Sequence, residues 1–360
     1  MEDIKLNEAQ LGIVDGMIDW VRVVDKNNIV LYANKKMQEE LGNIIGRRCY
    51  EIFCTGKNCD HCISKVTIEN GSILRKEASI GERTFMVISS PLQDKTGDTY
   101  CSVEVFRDIT KEKDLAKKVN EKNKKMSDDI KFASNMQMRM LPPKGMYNGL
   151  SIDYLYESSE SLSGDFFDVF KIDEENTGIY ICDVVGHGVT ASLLTIFVRQ
   201  SLRTIAKGNM SLNKILKELH KTFLSLNLDY DKYFSVFFGV FNKATHEFNY
   251  VNAGHNSEPI LLRKSGDIEL LNSKGYPIAN IFDNVKYDEK KLNLNIGDKL
   301  FLYTDGITEA NNEDNQQYGI ENLVDIIKNE GTTLHNLKLS LDDYCEIHKD
   351  DYAILMAEVI

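Results

Sequence analysis

Proline is scarce in this sequence, 5 in 360 residues, tryptophan occurs once, and no long apolar run is present. The strongest apolar stretch, Ser235 to Phe241, has the length of a buried strand, and none approaches the roughly 18 residues that a membrane helix needs. No membrane association is therefore expected. The opening residues, MEDIKLNEAQ, lack a basic segment followed by an apolar one, so no signal peptide is read there and the expected compartment is the cytoplasm. A hydrophobic share of 42% excludes wholesale disorder. The seven cysteines, an odd number, fit reduced thiols better than a disulfide framework. The formal net charge of −12 argues against a nucleic-acid-binding surface spread over the whole chain.

That charge is unevenly placed. Between Lys111 and Lys144 ten basic residues stand against five acidic ones, so the remainder is more acidic than the total suggests. The same stretch has no glycine, and no proline before Pro142 and Pro143, which predicts a helix. Val119, Met126, Ala133 and Met140 recur every seven residues along it, beside a more polar row of Ala116, Asn123, Ile130 and Gln137. Such a seam suits a coiled-coil homodimer, with Asn123 and Gln137 weakening it and fixing its register; the alternative is one amphipathic helix lying on its own domain. Upstream, strands are predicted at Val21 to Val24, Ile29 to Tyr32, Thr84 to Ser89 and Thr99 to Phe106. Asn34 is positioned to cap a helix that Gly42 ends. Downstream, strands at Ile179 to Cys182, Phe234 to Phe241, Phe248 to Val251, Lys299 to Tyr303 and Ala353 to Val359 alternate with helical segments. The clearest of these helices carries Ala191, Leu194, Val198, Leu202 and Ile205 on one face.

Four short segments set aspartates beside glycines or strand ends: Ser163 to Asp168, Asp183 to Gly188, Tyr303 to Gly306 and Lys349 to Tyr352. Each alone has a simple explanation as a turn or a helix cap. Together they describe carboxylates that would repel one another unless cations neutralised them, and all-oxygen ligands select Mg²⁺ or Mn²⁺.

The region from about Met136 onward resembles the SpoIIE-like branch of the PPM superfamily of metal-dependent protein phosphatases. The matching pieces follow in order: Met136-Gln137 with Met140-Leu141-Pro142, SGDFFDVF, CDVVGHGVTASLL, VNAGHNSEPILL, LFLYTDGITEA, QYGIENL and DDYAILM. The resemblance implies an α-β-β-α sandwich with a binuclear Mn²⁺ or Mg²⁺ centre. Asp183 would bridge both ions with the Val184 carbonyl as an added ligand. Asp305 and Asp350 would complete one ion's shell, with Asp351 as the alternative to Asp350, and Asp165 and Asp168 would lie on the side of the other ion. It further implies hydrolysis of phosphoserine or phosphothreonine by a metal-activated water, on a phosphorylated STAS-domain antagonist of an anti-sigma factor. His187 is the candidate general acid, with a loop-stabilising role as the alternative. His255 either serves the site or belongs to a strand-connecting turn. Ala353 stands where the family usually has threonine, and no phosphate-gripping arginine can be placed.

Residues from about Asp15 to Thr110 resemble a PAS sensor domain, on VRVVDKNNIVLYANKKMQEELG and VEVFRDITKEK. The expected fold class is α+β: a PAS domain (1–110) of antiparallel sheet with flanking helices, a helical or coiled-coil linker (111–141) and a phosphatase domain (142–360). The sensor's ligand is left open. Cys54, Cys59 and Cys62, with Cys49 and His61 near them, have a spacing that could hold zinc or an iron–sulfur cluster or act as a redox-responsive group; a plain cysteine-rich loop is the alternative. The competing function is a sensor and scaffold with an inactive phosphatase domain that sequesters a partner.

Overall fold

The computed structural model describes all residues except 1–7, 54–58, 60–61, 95, 209–210, 283–284, 330–332 and 346–349. The chain divides into two units, residues 1–125 and 126–360.

The first unit is an antiparallel sheet of β1 (Trp20–Asp25), β2 (Val30–Ala33), β3 (Leu74–Ile80), β4 (Arg83–Gln93) and β5 (Thr99–Asp108), in the order β2-β1-β5-β4-β3. Helix α1 (Glu8–Asp15) precedes it, and α2 (Lys35–Leu41), α3 (Cys49–Phe53) and α4 (Ile63–Asn70) lie between β2 and β3. The Asn34 carboxamide oxygen accepts from the Met37 N–H at 3.2 Å, and Gly42 ends α2 with a positive φ, as the sequence predicts. Trp20 stacks on Phe85 at 4.6 Å in the middle of the core.

Helix α5 (Thr110–Met140) runs 31 residues, roughly 46 Å at the usual rise, and stops before the two prolines. Its Leu115, Val119, Met126 and Phe132 are exposed, and Gln137 is its buried residue among those described. None of the described helices is long and apolar enough to cross a membrane.

The second unit holds two six-stranded antiparallel sheets. One orders β15 (Lys290–Asn293), β11 (Glu247–Ala253), β10 (Tyr233–Asn242), β9 (Asn176–Val184) and β8 (Asp165–Lys171), with β14 (Ile278–Ala279) also on β10. The other orders β13 (Ile268–Leu270), β12 (Ile260–Leu262), β16 (Lys299–Tyr303), β17 (Tyr352–Val359), β7 (Leu150–Glu157) and β6 (Gly145–Tyr147). Alternation along the strands builds two cores. Leu300, Leu302, Ala353 and Leu355 join the larger core with Phe167, Ile181 and Phe237 of the facing sheet. Phe301, Tyr303 and Ile354 point the other way, onto α9 (Gly319–Lys328) and α10 (Leu334–Tyr344). The first sheet is covered by α6 (Gly188–Ile205) and α7 (Leu212–Leu224), through Leu194, Val198, Leu202, Leu216 and Leu219. The short α8 (Asp305–Thr308) follows β16. The result is the expected sandwich of two sheets between helical layers.

Candidate active site

Strands β8 and β9 form a hairpin in which Asp165 is the direct cross-strand partner of Asp183. Opposed like charges on neighbouring strands destabilise a sheet, so their pairing needs a reason outside the fold. Asp165 is buried and its Oδ2 has no hydrogen-bond partner. Burial raises its pKa well above the usual carboxylate range, and the charges of Asp183, Asp351 and Asp305 add to this while a hydrogen bond from Thr304 opposes it. Burial likewise pushes Asp183 up to about 7, helped by Asp305, Asp350 and Asp351. Asp350, at the foot of β17, is also raised by burial and by the neighbouring carboxylates. The second sheet contributes Asp305 at the start of α8, and a Cβ on the following Gly306 would come within 1.9 Å of the Asp351 carbonyl oxygen. Only glycine lets these two strand ends meet so closely.

Among the described residues, no three of His, Cys, Asp or Glu make a ready-formed metal-ligand cluster. The group is an electrostatic assembly: four carboxylates, Asp165, Asp183, Asp305 and Asp350, whose buried or mutually repelling charges call for cations, with one orphaned oxygen among them. That chemistry fits hard divalent ions. The Val184 carbonyl stands beside Gly164, where a Cβ would approach it to 2.7 Å and the Gly186 carbonyl to 2.6 Å.

Two aspartates read as ligands from the sequence have other partners. Asp168 lies three residues beyond Asp165 on the same strand, and an odd spacing turns it to the opposite face. There Arg203 holds it by two hydrogen bonds, 2.6 and 2.9 Å, and Arg199 adds an ion-pair contact at 3.3 Å. Asp168 is therefore corrected from a ligand to the anchor of α6 on β8. Asp351 is committed to the loop before β8: the Ser159 N–H and hydroxyl donate to its Oδ1 at 2.8 and 2.9 Å, and the Gly164 N–H to its Oδ2 at 2.8 Å. Of the Asp350 and Asp351 alternatives, Asp350 is the less committed: its Oδ1 accepts from the Asp351 N–H at 2.8 Å.

His187 has a side chain 68% exposed and directly precedes α6; its Nδ1 lies 3.0 Å from Glu160. The ring is close enough to Asp350 to act on it electrostatically, which puts it at the rim of the carboxylate group. His255 is different. Its buried ring faces the Tyr303 carbonyl through Nε2 at 2.9 Å and the Ser235 hydroxyl through Nδ1 at 3.3 Å. A carbonyl only accepts, so Nε2 carries the hydrogen and Nδ1 accepts from Ser235. Burial lowers its pKa to about 4, and the neutral ring ties the end of β16 to β10. Ala353 needs no side-chain hydroxyl, because its N–H donates to Thr304 Oγ1 at 2.9 Å.

Sequence reasoning missed three contributors. Glu309 sits beside Asp305 and Asp350, which raise its pKa after burial does; it was visible in the TDGITEA segment but had no role there. Glu160, which orients His187, carried no sequence signal. Gln137, read as part of a helical seam, faces inward: its Nε2 donates to the Ser163 carbonyl at 2.8 Å and to Thr195 Oγ1 at 3.2 Å, and its Oε1 accepts from the Ser163 N–H at 3.1 Å. This amide joins the last turns of α5 to the loop that carries Asp165.

In the first unit Cys49 is buried and Cys62 half-buried, and Cys59 and Cys62 act on the Cys49 thiol, whose pKa burial raises to about 11. Cys54 and His61 lie outside the described residues, as does Lys349.

A family model described as Stage II sporulation protein E (SpoIIE) matches residues 173–360, more than half of the chain. The chain belongs to this family. Its enzyme class is that of the protein serine/threonine phosphatases. Among its relatives, phosphoserine phosphatase RsbU of Bacillus subtilis is 24% identical over 240 residues, covering 63% of this chain and 69% of RsbU. Phosphoserine phosphatase RsbP of the same organism is 30% identical over 185 residues, covering 50% of this chain and 45% of RsbP. Among solved structures, the SiaA-PP2C domain of Pseudomonas aeruginosa superposes with a TM-score of 0.55 at 20% identity, over 66% of this chain and 98% of that one. The SpoIIE phosphatase domain of Bacillus subtilis with a fragment of its regulatory domain gives 0.51 at 12% identity, over 82% and 86%. At these identities the structural likeness speaks for the fold.

Proposed function

We propose that this SpoIIE-family phosphatase hydrolyses phosphoserine or phosphothreonine on a protein through a binuclear divalent-metal centre, under control of its N-terminal unit. The observation that carries the reading is the buried Asp165–Asp183 pair with the unpartnered Asp165 Oδ2. Asp183 would hold both ions with the Val184 carbonyl, Asp305 and Asp350 one of them, and Asp165 the other. When bound, Mn²⁺ or Mg²⁺ ions supply a water of lowered pKa and neutralise the phosphoryl oxygens.

The chain's own residues do the rest. The N-terminus of α6, where the Gly188 N–H already donates to the Leu162 carbonyl, would offer its next backbone N–H groups to the phosphoryl oxygens. His187, its Nδ1 held by Glu160, is free to give a proton from Nε2 to the departing serine oxygen. Arg199 and Arg203 are occupied by Asp168, so charge neutralisation falls to the metals.

The substrate proposed is a phosphorylated STAS-domain antagonist, a reading supported by the likeness to RsbU and RsbP. The order β2-β1-β5-β4-β3 with helices between β2 and β3 supports a PAS-type sensor, and the exposed Val119 and Met126 support pairing of α5 in a homodimer. Signal would reach the site through Gln137. Phosphate release from a phosphoserine-bearing STAS protein, with and without Mn²⁺, tests the proposal. Release that does not depend on the cation, or that persists in Asp183→Ala, would overturn it.

A further inference from the structure

The second unit contains a cavity of about 460 Å³ at the opposite end of β8 from Asp165. That volume lies within the range of small-molecule sites, about 300 to 1,000 Å³. Helix α6 runs 18 residues between this cavity and the carboxylate group, roughly 27 Å at the usual rise, so the two are separate places. Among the described residues, five cationic side chains line the cavity and no acidic one does: Arg139 at the end of α5, Lys171 at the end of β8, Arg199 and Arg203 on the last turns of α6, and Lys207 beyond them. In a chain of net charge −12, composition does not explain that gathering.

Acids behind the wall answer part of this charge. Glu174 holds Lys171 at 2.7 Å, and the buried Asp168 meets Arg203 at 2.6 Å and Arg199 at 3.3 Å. One carboxylate facing two guanidiniums leaves a positive charge over. Arg139 and Lys207 add theirs, with no ion-pair partner among the described residues. The C-terminal ends of α5 and α6, each worth about half a negative charge, offset only about one of these three. The Arg199 and Arg203 side chains are 20% and 34% exposed, so water screens the remainder incompletely. Cations of one sign held round a hollow repel one another, and an anion inside it turns that cost into attraction. Guanidinium forks favour the oxygens of phosphate above other anions.

We propose that this cavity binds a small molecule through a polyanionic phosphate group such as pyrophosphate, held between Arg139, Arg199, Arg203 and Lys207. Pro142, Pro143 and Tyr147 line the same cavity and give it an uncharged wall for the organic body of a phosphate ester. An occupant would bridge the last turns of α5 and α6. The site goes beyond the phosphatase reading and rests on none of the chemistry of the carboxylate group.

Calorimetric titration of the metal-free full chain with pyrophosphate, ADP, adenosine and sulfate tests the site; without cations the carboxylate group repels every anion among them. Pyrophosphate is expected to bind saturably, one per chain, at least tenfold more tightly than sulfate, which spans fewer of the cations. Equal binding of sulfate, or no saturable binding of pyrophosphate or ADP at millimolar concentration, would overturn the proposal. ADP binding more tightly than pyrophosphate, with adenosine silent, supports the site with a nucleotide as its occupant; pyrophosphate binding as tightly as ADP supports it with an inorganic one. Adenosine binding as tightly as ADP overturns the role of the phosphates. Arg139→Gln with Lys207→Gln removes two exposed cations that anchor nothing in the fold, and should weaken pyrophosphate at least tenfold. Unchanged affinity overturns the assignment, as does an equal loss in Lys214→Gln with Lys217→Gln, which makes the same change of charge on the surface of α7. Affinity that persists in Asp183→Ala supports a place apart from the carboxylate group, and its loss there overturns that placement.

Discussion

Both units bury charge, and they do so in opposite ways. In the first, Glu104 meets Arg22 and Ser64, so acid and base cancel inside the protein. In the second, Asp165 faces Asp183 with no basic side chain among the described residues recorded as acting on either, and both carboxyls are driven upward in pKa. The second unit is able to pair its acids, because it does so for Asp168 with Arg203 and Arg199. Asp168 with its arginines and Asp165 without one, three residues apart on β8, separate a structural charge from one that calls for a cation more sharply than either residue's identity does.

The largest break of that contrast is Asp183→Ala. Phosphate release should fall by about a thousandfold or more if Asp183 holds both cations as proposed, while the fold persists because the change relieves repulsion. Activity within tenfold of the parent would refute the assignment. Asp168→Ala should do the reverse: it leaves Arg203 and Arg199 without their anion and costs about 3 kcal/mol in urea unfolding, with Mn²⁺ affinity unchanged by titration. Weakened Mn²⁺ binding there would restore Asp168 as a ligand. Gln137→Leu strands both Ser163 backbone groups and should cost about 2 kcal/mol. A loss of activity larger than the loss of folded protein would mark its hold on the Asp165 loop; activity that tracks stability alone would make Gln137 merely structural.

The smallest expected effect concerns pH. Asp183 has a folded pKa of about 7, above its ordinary value of 3.8. Its contribution to stability without cations is therefore full at low pH and is lost as pH rises through about 7. Mn²⁺ should then raise the melting temperature by a few degrees more at pH 8 than at pH 5.5. An equal rise at both pH values would count against a role for Asp183 in cation binding. His255 has the opposite sign: its pKa of about 4 lies below 6.5, so the stability it gives is present above pH 6.5 and lost as pH falls toward 4.

Much of the architecture was legible because strong strands such as Phe234 to Phe241 and Lys299 to Tyr303 are mostly apolar, and the helix after Lys111 lacks breakers until Pro142. Strand β8 was not, since acids occupy two of its seven positions. That omission had a consequence for the site: once DFFDVFK is known to be a strand, the spacing from Asp165 to Asp168 is enough to put them on opposite faces. Gln137 was misread for a similar reason. A heptad row says which residues share a stripe and nothing about what the stripe touches, and at its C-terminal end the helix meets Ser163 and Thr195. Glu160 and Ser159 come from a loop, where sequence has no periodicity to read.

The pairing of β7 with β17 joins Leu150 to Val359 and Glu157 to Tyr352 across about two hundred residues. The β8–β9 hairpin, by contrast, closes locally, so half of the carboxylate group can form early and the other half waits for the slowest contact in the domain. On that topology folding is expected to end on its most repulsive step, with Asp305 and Asp350 arriving against charges already in place. Divalent cations present at that moment should speed the final closure, making the metal an aid to folding as well as to chemistry.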